Sequence, residues 1–149
     1  MSGETVWHQA SITSDLALAL VRRAIETAAA NGWRVCAVVV DATGTPLALQ
    51  RMDGVPAPIV EFATDKAFTA ATMRRSTLEY AQRMGSSPSL ALGLGTRTRL
   101  LTWEGGLPIA WNGEIIGGIG VSGAAGDEDA LCAAEALKLI AGEAAAMSA

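Results

Sequence analysis

A chain of 149 residues, 50% hydrophobic and only 17% charged, is long enough for one domain to bury a sizeable core unaided. So little charge predicts apolar surface hidden between copies of a homo-oligomer. Eleven Lys and Arg against fifteen Asp and Glu give a net charge of −4 and no basic block, which argues against a nucleic-acid partner.

No apolar run approaches the ~18 residues that cross a bilayer, and Met1 to Ala10 holds no apolar signal core, so a cytoplasmic chain with no membrane partner is expected. No repeat or linker divides the chain, and residues 1–149 read as a single domain. From Leu16, the residues Ala17, Leu20, Val21, Ala24 and Ala28 follow helical spacing. Thr13 or Ser14 caps this helix, and Asn31-Gly32 stops it. Val35 to Val40 is nearly all β-branched, as in a central strand covered on both faces. The turn Asp41 to Thr45 then leads into an antiparallel partner, Pro46 to Met52.

After Pro56 and Pro58, helical spacing returns through Ile59, Phe62, Ala63, Lys66, Ala67, Ala70 and Ala71. Lys66 lies inside that apolar stripe, where its ammonium either snorkels to solvent or meets an anion in a cleft. Thr77 to Met84 reads as a short helix, and Leu90 to Gly95 with Arg97 to Trp103 could include another strand. Leu107 to Trp111 and Glu114 to Val121 flank Asn112-Gly113, the pair suited to a type I′ hairpin turn. Alternation groups Ile116, Gly118, Gly120 and Ser122 on one face of the second strand. Three of these four are small, so either a helix crosses this face or a ligand lies against it. Asp127, Glu128 and Asp129 open a terminal helix whose apolar stripe runs through Ala130, Ala134, Leu137, Ala141 and Ala144. Two hairpins among helices predict an α+β fold with an antiparallel sheet of five strands.

His8 is the sole histidine, so chemistry needing two imidazoles is excluded. Alone, it could ligate a haem iron, shuttle a proton, or sit idle at the surface. Cys36 and Cys132 lack metal-site spacing and read as small buried hydrophobes. No nucleophile elbow occurs, and Gly-Gly-Ile-Gly falls within a strand, so the dinucleotide fingerprint is unmet. Trp7, Trp33, Trp103 and Trp111 suit core, subunit interface or stacking on a planar ligand, while Arg51, Lys66, Arg97 and Arg99 could neutralise carboxylates. A metal-free enzyme acting on a carboxylated metabolite, of tautomerase, hydratase or deaminase type, would use Lys66 as base or anion clamp. Asp53 or Glu104 would then be its partner acid, and N–H groups near Gly105, Gly106 and Gly123 would hold the substrate carboxylate. A scaffold protein whose glycines serve only helix packing is the third alternative.

Val38-Val39-Val40-Asp41 with Gly44, Arg51-Met52-Asp53-Gly54, Lys66-Ala67 with Thr69-Ala70, and Gly105-Gly106-Leu107-Pro108 form one part of a wider pattern. With Gly113, the run Gly118 to Gly123 and Asp129, they resemble the GlcG/HbpS-like family of haem-binding or haem-degrading domains. That family also supplies the C-terminal domain of some corrinoid adenosyltransferases. The resemblance implies a profilin-like fold, a five-stranded antiparallel sheet flanked by helices, a higher homo-oligomer and, in some members, a place in catabolic operons. It implies haem as cofactor in an apolar cleft, with His8 as candidate axial ligand and Arg51 or Lys66 near the propionates. Gly105, Gly106, Gly118, Gly120 and Ser122 would line the ligand site.

Overall fold

The computed structural model describes residues 3–148, and side chains as far as residue 141, so Ala144 of the expected apolar stripe lies outside the described side chains. In chain order the elements are α1 (Ser14–Ala30), β1 (Cys36–Asp41), β2 (Pro46–Arg51), α2 (Ala57–Met73), α3 (Thr77–Met84), α4 (Pro88–Leu94), β3 (Gly106–Trp111), β4 (Glu114–Ser122) and α5 (Gly126–Ser148). The strands form one antiparallel sheet in the order β2-β1-β4-β3.

Alternation along β1 divides the core into two layers. Ala37 and Val39 join Leu20, Val21 and Ala24 of α1 and Cys132, Ala133 and Ala136 of α5 on one face. Cys36, Val38 and Val40 meet Ala63, Ala67 and Ala71 of α2 on the other. The caps of α1 match the sequence: the Thr13 hydroxyl accepts from the Leu16 N–H at 3.3 Å, and Asn31 ends the helix. Asn112 and Gly113 have φ of 50° and 80°, as a type I′ turn requires.

The glycine face of β4 is covered by α2. A Cβ on Gly118 would sit 2.5 Å from the Ala67 carbonyl oxygen and 2.9 Å from the Ala71 nitrogen, and one on Gly120 would collide with the Ala63 carbonyl. Helix backbone thus fills the space a ligand would need at Gly118 and Gly120, and close packing is the role the geometry gives them. Ile116 departs from the expected face. The β3–β4 register shifts between Ile109, opposite Gly117, and Ala110, opposite Ile115. The extra residue, Ile116, turns into the α1/α5 core and is 6% exposed.

Four strands, not five, are present among the described residues. Leu90 to Leu94 belongs to α4, which the Ser87 hydroxyl caps by accepting from the Leu90 N–H at 3.3 Å, with Pro88 in its first turn. Residues 97–103 pair with no strand. Instead the buried Thr69 hydroxyl accepts from the Leu101 N–H at 2.9 Å and donates to the Arg99 carbonyl at 3.3 Å. A side chain of α2 thus replaces ladder bonds for this segment. Among the described residues no helix is long and apolar enough to cross a membrane.

Candidate functional site

Lys66 projects from the buried stripe of α2 and does not snorkel. Its ammonium lies 3.1 Å from Asp129 Oδ2 in α5 and donates to the Val121 carbonyl of β4 at 2.9 Å. Both side chains are 3% exposed. The second oxygen of Asp129 accepts from the Ala124 N–H at 2.9 Å. Burial pushes Lys66 below its usual lysine range, while Asp129 at contact distance and Glu104 further off pull it back. Burial likewise pushes Asp129 above the usual carboxylate range, opposed by Lys66 and by the Ala124 N–H. The pair ties together α2, β4 and α5.

Above it opens a cleft of about 310 Å³, walled by Ile59, Phe62, Trp103, Glu104, Ser122 and Gly126. Trp103 and Phe62 meet edge to face with centroids 5.1 Å apart. Gly105, at φ 126°, makes room for the ammonium: a Cβ there would stand 3.0 Å from Nζ and 2.5 Å from the Val121 oxygen. Gly106 packs beneath, where a Cβ would meet the Lys66 carbonyl oxygen at 2.5 Å. Ser122 is 5% exposed and lines the cleft.

The structure therefore brings Lys66, Glu104, Gly105, Gly106 and Ser122 together, and adds Asp129, which spacing alone did not single out. Arg51 stands opposite Cys36, and Cys36 opposite Ser122, which sets Arg51 two strands, roughly 10 Å, from Ser122. Asp53 is exposed, and its carbonyl accepts from Arg34 Nη1 at 2.6 Å. Neither Arg51 nor Asp53 lines the cleft. Arg97 bonds to the Thr96 hydroxyl, and Arg99 lies over the Phe68 ring, 3.7 Å from its centroid.

His8 lies elsewhere. It borders a cavity of about 320 Å³ at the hairpin turn, with Trp7, Arg74, Gly113, Glu114 and Ile115. Lys66 is bonded at Val121, seven residues along β4 from Glu114, or roughly 23 Å. One ligand therefore cannot span His8 and Lys66 or Arg51 within a chain, and the cation beside His8 is Arg74. Ala10 connects this cavity to a larger one of about 550 Å³, with Ile12, Leu16, Ala19, Trp111 and Ile116 in its wall. Among the described residues no group of three or more His, Cys, Asp and Glu is placed to hold a metal ion.

A family model described as haem degrading protein HbpS-like matches residues 12–138. Protein GlcG of Escherichia coli (strain K12) is 37% identical over 112 residues, covering 74% of this chain and 81% of that protein. Among solved structures, a doubly substituted HbpS of Streptomyces reticuli is similar with a TM-score of 0.83 at 31% identity, over 93% of each chain. PduOC, solved as a complex with heme, has a TM-score of 0.78 at 28% identity, over 86% of this chain and 94% of that one. With both its sequence and its fold aligned along most of their length, the chain belongs to the HbpS-like family.

Proposed function

We propose that the chain binds haem in the cavity of about 550 Å³, where His8 of the adjoining cavity would ligate the iron and Arg74 would meet a propionate. The observation that carries this reading is that the sole histidine lines the cavity adjoining a large apolar one, Ala10 being shared by both. The size lies within the ~300–1,000 Å³ of sites that hold cofactors, and the walls are those an apolar macrocycle needs. Ile12, Leu16 and Trp111 would exclude water from it, and the His8 imidazole is of the kind that ligates iron. When bound, haem supplies an iron centre for oxygen or electron-transfer chemistry. The heme complex of PduOC and the family's description support the choice of ligand.

The same reading extends to a homo-oligomer, because Trp7 at 84% and Leu92 at 76% exposure are apolar surfaces that a second copy would cover. Sedimentation at several concentrations tests it. Haem degradation is the narrower activity, read from loss of the Soret band when a reductant is added to the loaded protein.

An absorbance titration with haemin, beside a haemin-into-buffer control, tests the binding itself. A saturable, shifted Soret band that is lost in His8→Ala and weakened in Leu16→Glu is expected. A spectrum matching the control with the wild-type chain overturns the reading.

A further inference from the structure

The cleft at the Lys66 end of β4 shares no lining residue with the cavities proposed for haem, and its chemistry is incomplete. An ammonium has three N–H donors, and Lys66 directs two of them to Val121 and Asp129. Ser122 is 5% exposed and lines the cleft, and its hydroxyl can both donate and accept. A hydroxyl that lines the cleft beside a cation with a spare donor offers, with it, two donors to an acceptor from outside. The acceptor is not a simple anion. Lys66 brings one positive charge to the cleft and Asp129 and Glu104 bring two negative ones, so an added carboxylate meets net repulsion unless it carries its own cation. A simple amine would satisfy Glu104 and leave Ser122 and the spare lysine donor unmet.

Trp103, 54% exposed, joins Phe62 in an edge-to-face pair, giving the mouth an apolar wall continued by Ile59. The volume, about 310 Å³, equals that of about ten waters in the liquid, which suits a small metabolite and not a macrocycle. We propose that this cleft binds a small zwitterion of the amino-acid class with an apolar side chain. Its carboxylate meets Lys66 and the Ser122 hydroxyl, its ammonium meets Glu104, and its side chain lies on Trp103 and Phe62. Held by Val121 and Asp129 with one donor to spare, Lys66 serves here as a donor to the ligand and not as a base.

Calorimetry on the purified full chain tests this with three probes: leucine, 4-methylpentanoate, which lacks the amine, and 3-methylbutylamine, which lacks the carboxylate. Leucine is expected to bind saturably and each truncated probe about tenfold or more weaker, the scale of one lost charge-assisted hydrogen bond. Ser122→Ala is expected to lower leucine affinity about tenfold, and Glu104→Gln to remove the preference for leucine over 4-methylpentanoate, with far-UV circular dichroism of both variants unchanged. Three results overturn the proposal: no heat from any probe at millimolar concentration, a truncated probe binding as well as leucine, or folded variants that bind leucine like the wild type. The haemin titration has a different site and readout, so either proposal can fail alone.

Discussion

Lys66→Met keeps the apolar stem of the side chain and deletes its charge, leaving Asp129 at 2% exposure with the Ala124 N–H as its remaining side-chain partner. Removing one member of a buried pair costs about 3–5 kcal/mol, a large share of the roughly 5–15 kcal/mol that holds a domain together. The loss depends on pH. Burial already holds Asp129 above its ordinary value of 3.8, and without Lys66 its chief opposing influence is gone, so it rises further. A carboxyl raised in the folded state contributes stability below its unfolded pKa and loses that contribution as pH rises through the folded one. The deficit of Lys66→Met is therefore smaller near about pH 5 than near about pH 8. Adding Asp129→Asn removes the stranded charge while keeping an acceptor for Ala124, and should recover about 2 kcal/mol or more at the higher pH. Urea unfolding followed by tryptophan fluorescence measures all three variants. A loss below about 1 kcal/mol, equal losses at the two pH values, or a double variant no better than the single one would refute a buried ion pair as the tie between α2 and α5.

Four further outcomes follow from the packing, the turns and the buried thiols. Gly120→Ala and Gly118→Ala press a methyl into the backbone of α2 and should each cost about 1–3 kcal/mol or more. Gly93→Ala, inside α4 with nothing within 4 Å of the new Cβ, should gain up to about 1 kcal/mol in the same denaturant assay. At Asp41, burial raises the carboxyl, but hydrogen bonds from the Thr43 hydroxyl and the turn amides outweigh it and leave it below 3.8. A depressed carboxylate contributes stability above its unfolded pKa and loses it as pH falls through the folded one. Thermal melts of Asp41→Asn and wild type should thus differ at neutral pH and converge below about pH 4, and parallel curves would count against the turn. Burial pushes the Cys36 and Cys132 thiols up to about 11, so neither should react with iodoacetamide in the native protein, and mass spectrometry should find label only after unfolding.

Elements whose signals are local were legible in the sequence. The apolar stripe and caps of α1, the β-branched run of β1 and the Asn112-Gly113 turn each depend on neighbours within a few residues. The errors have equally physical causes. The six residues of Ser, Leu, Ala and Gly that follow Pro88 in α4 are too few to distinguish a period of 3.6 from one of 2, and only the Ser87 cap decides for helix. Ile116 changes face through a bulge that arises in the pairing with β3 and has no mark in β4 itself. Lys66 stood out because a charge interrupts an apolar stripe, but Asp129 lies 63 residues away. Its acid was already explained by the dipole of the helix it opens. Arg51 and Asp53 are close to the sheet's end in sequence, yet strand order carries them away from Ser122.

The glycines that the sequence offered as a ligand wall act on the cleft indirectly, through the helix they admit. Without side chains at Gly118, Gly120 and Gly106, α2 lies so close to the sheet that a methyl at any of the three would strike its backbone. The Lys66 side chain runs to the end of the sheet where Gly105, at φ 126°, leaves room for it. There its ammonium meets Val121, Asp129 and the floor of the cleft. A close helix and a buried cation are thus one structural choice. The His8 cavity is built from different parts, the N-terminal segment and the hairpin turn, roughly seven residues of strand away. Overpacking at Gly118 or Gly120 should therefore disturb the Lys66 end through α2 before it reaches the far end of β4. Comparing leucine binding with haemin binding in the folded fraction of those variants separates the two ends, because equal losses of both ligands would mean that the sheet transmits strain along its whole length.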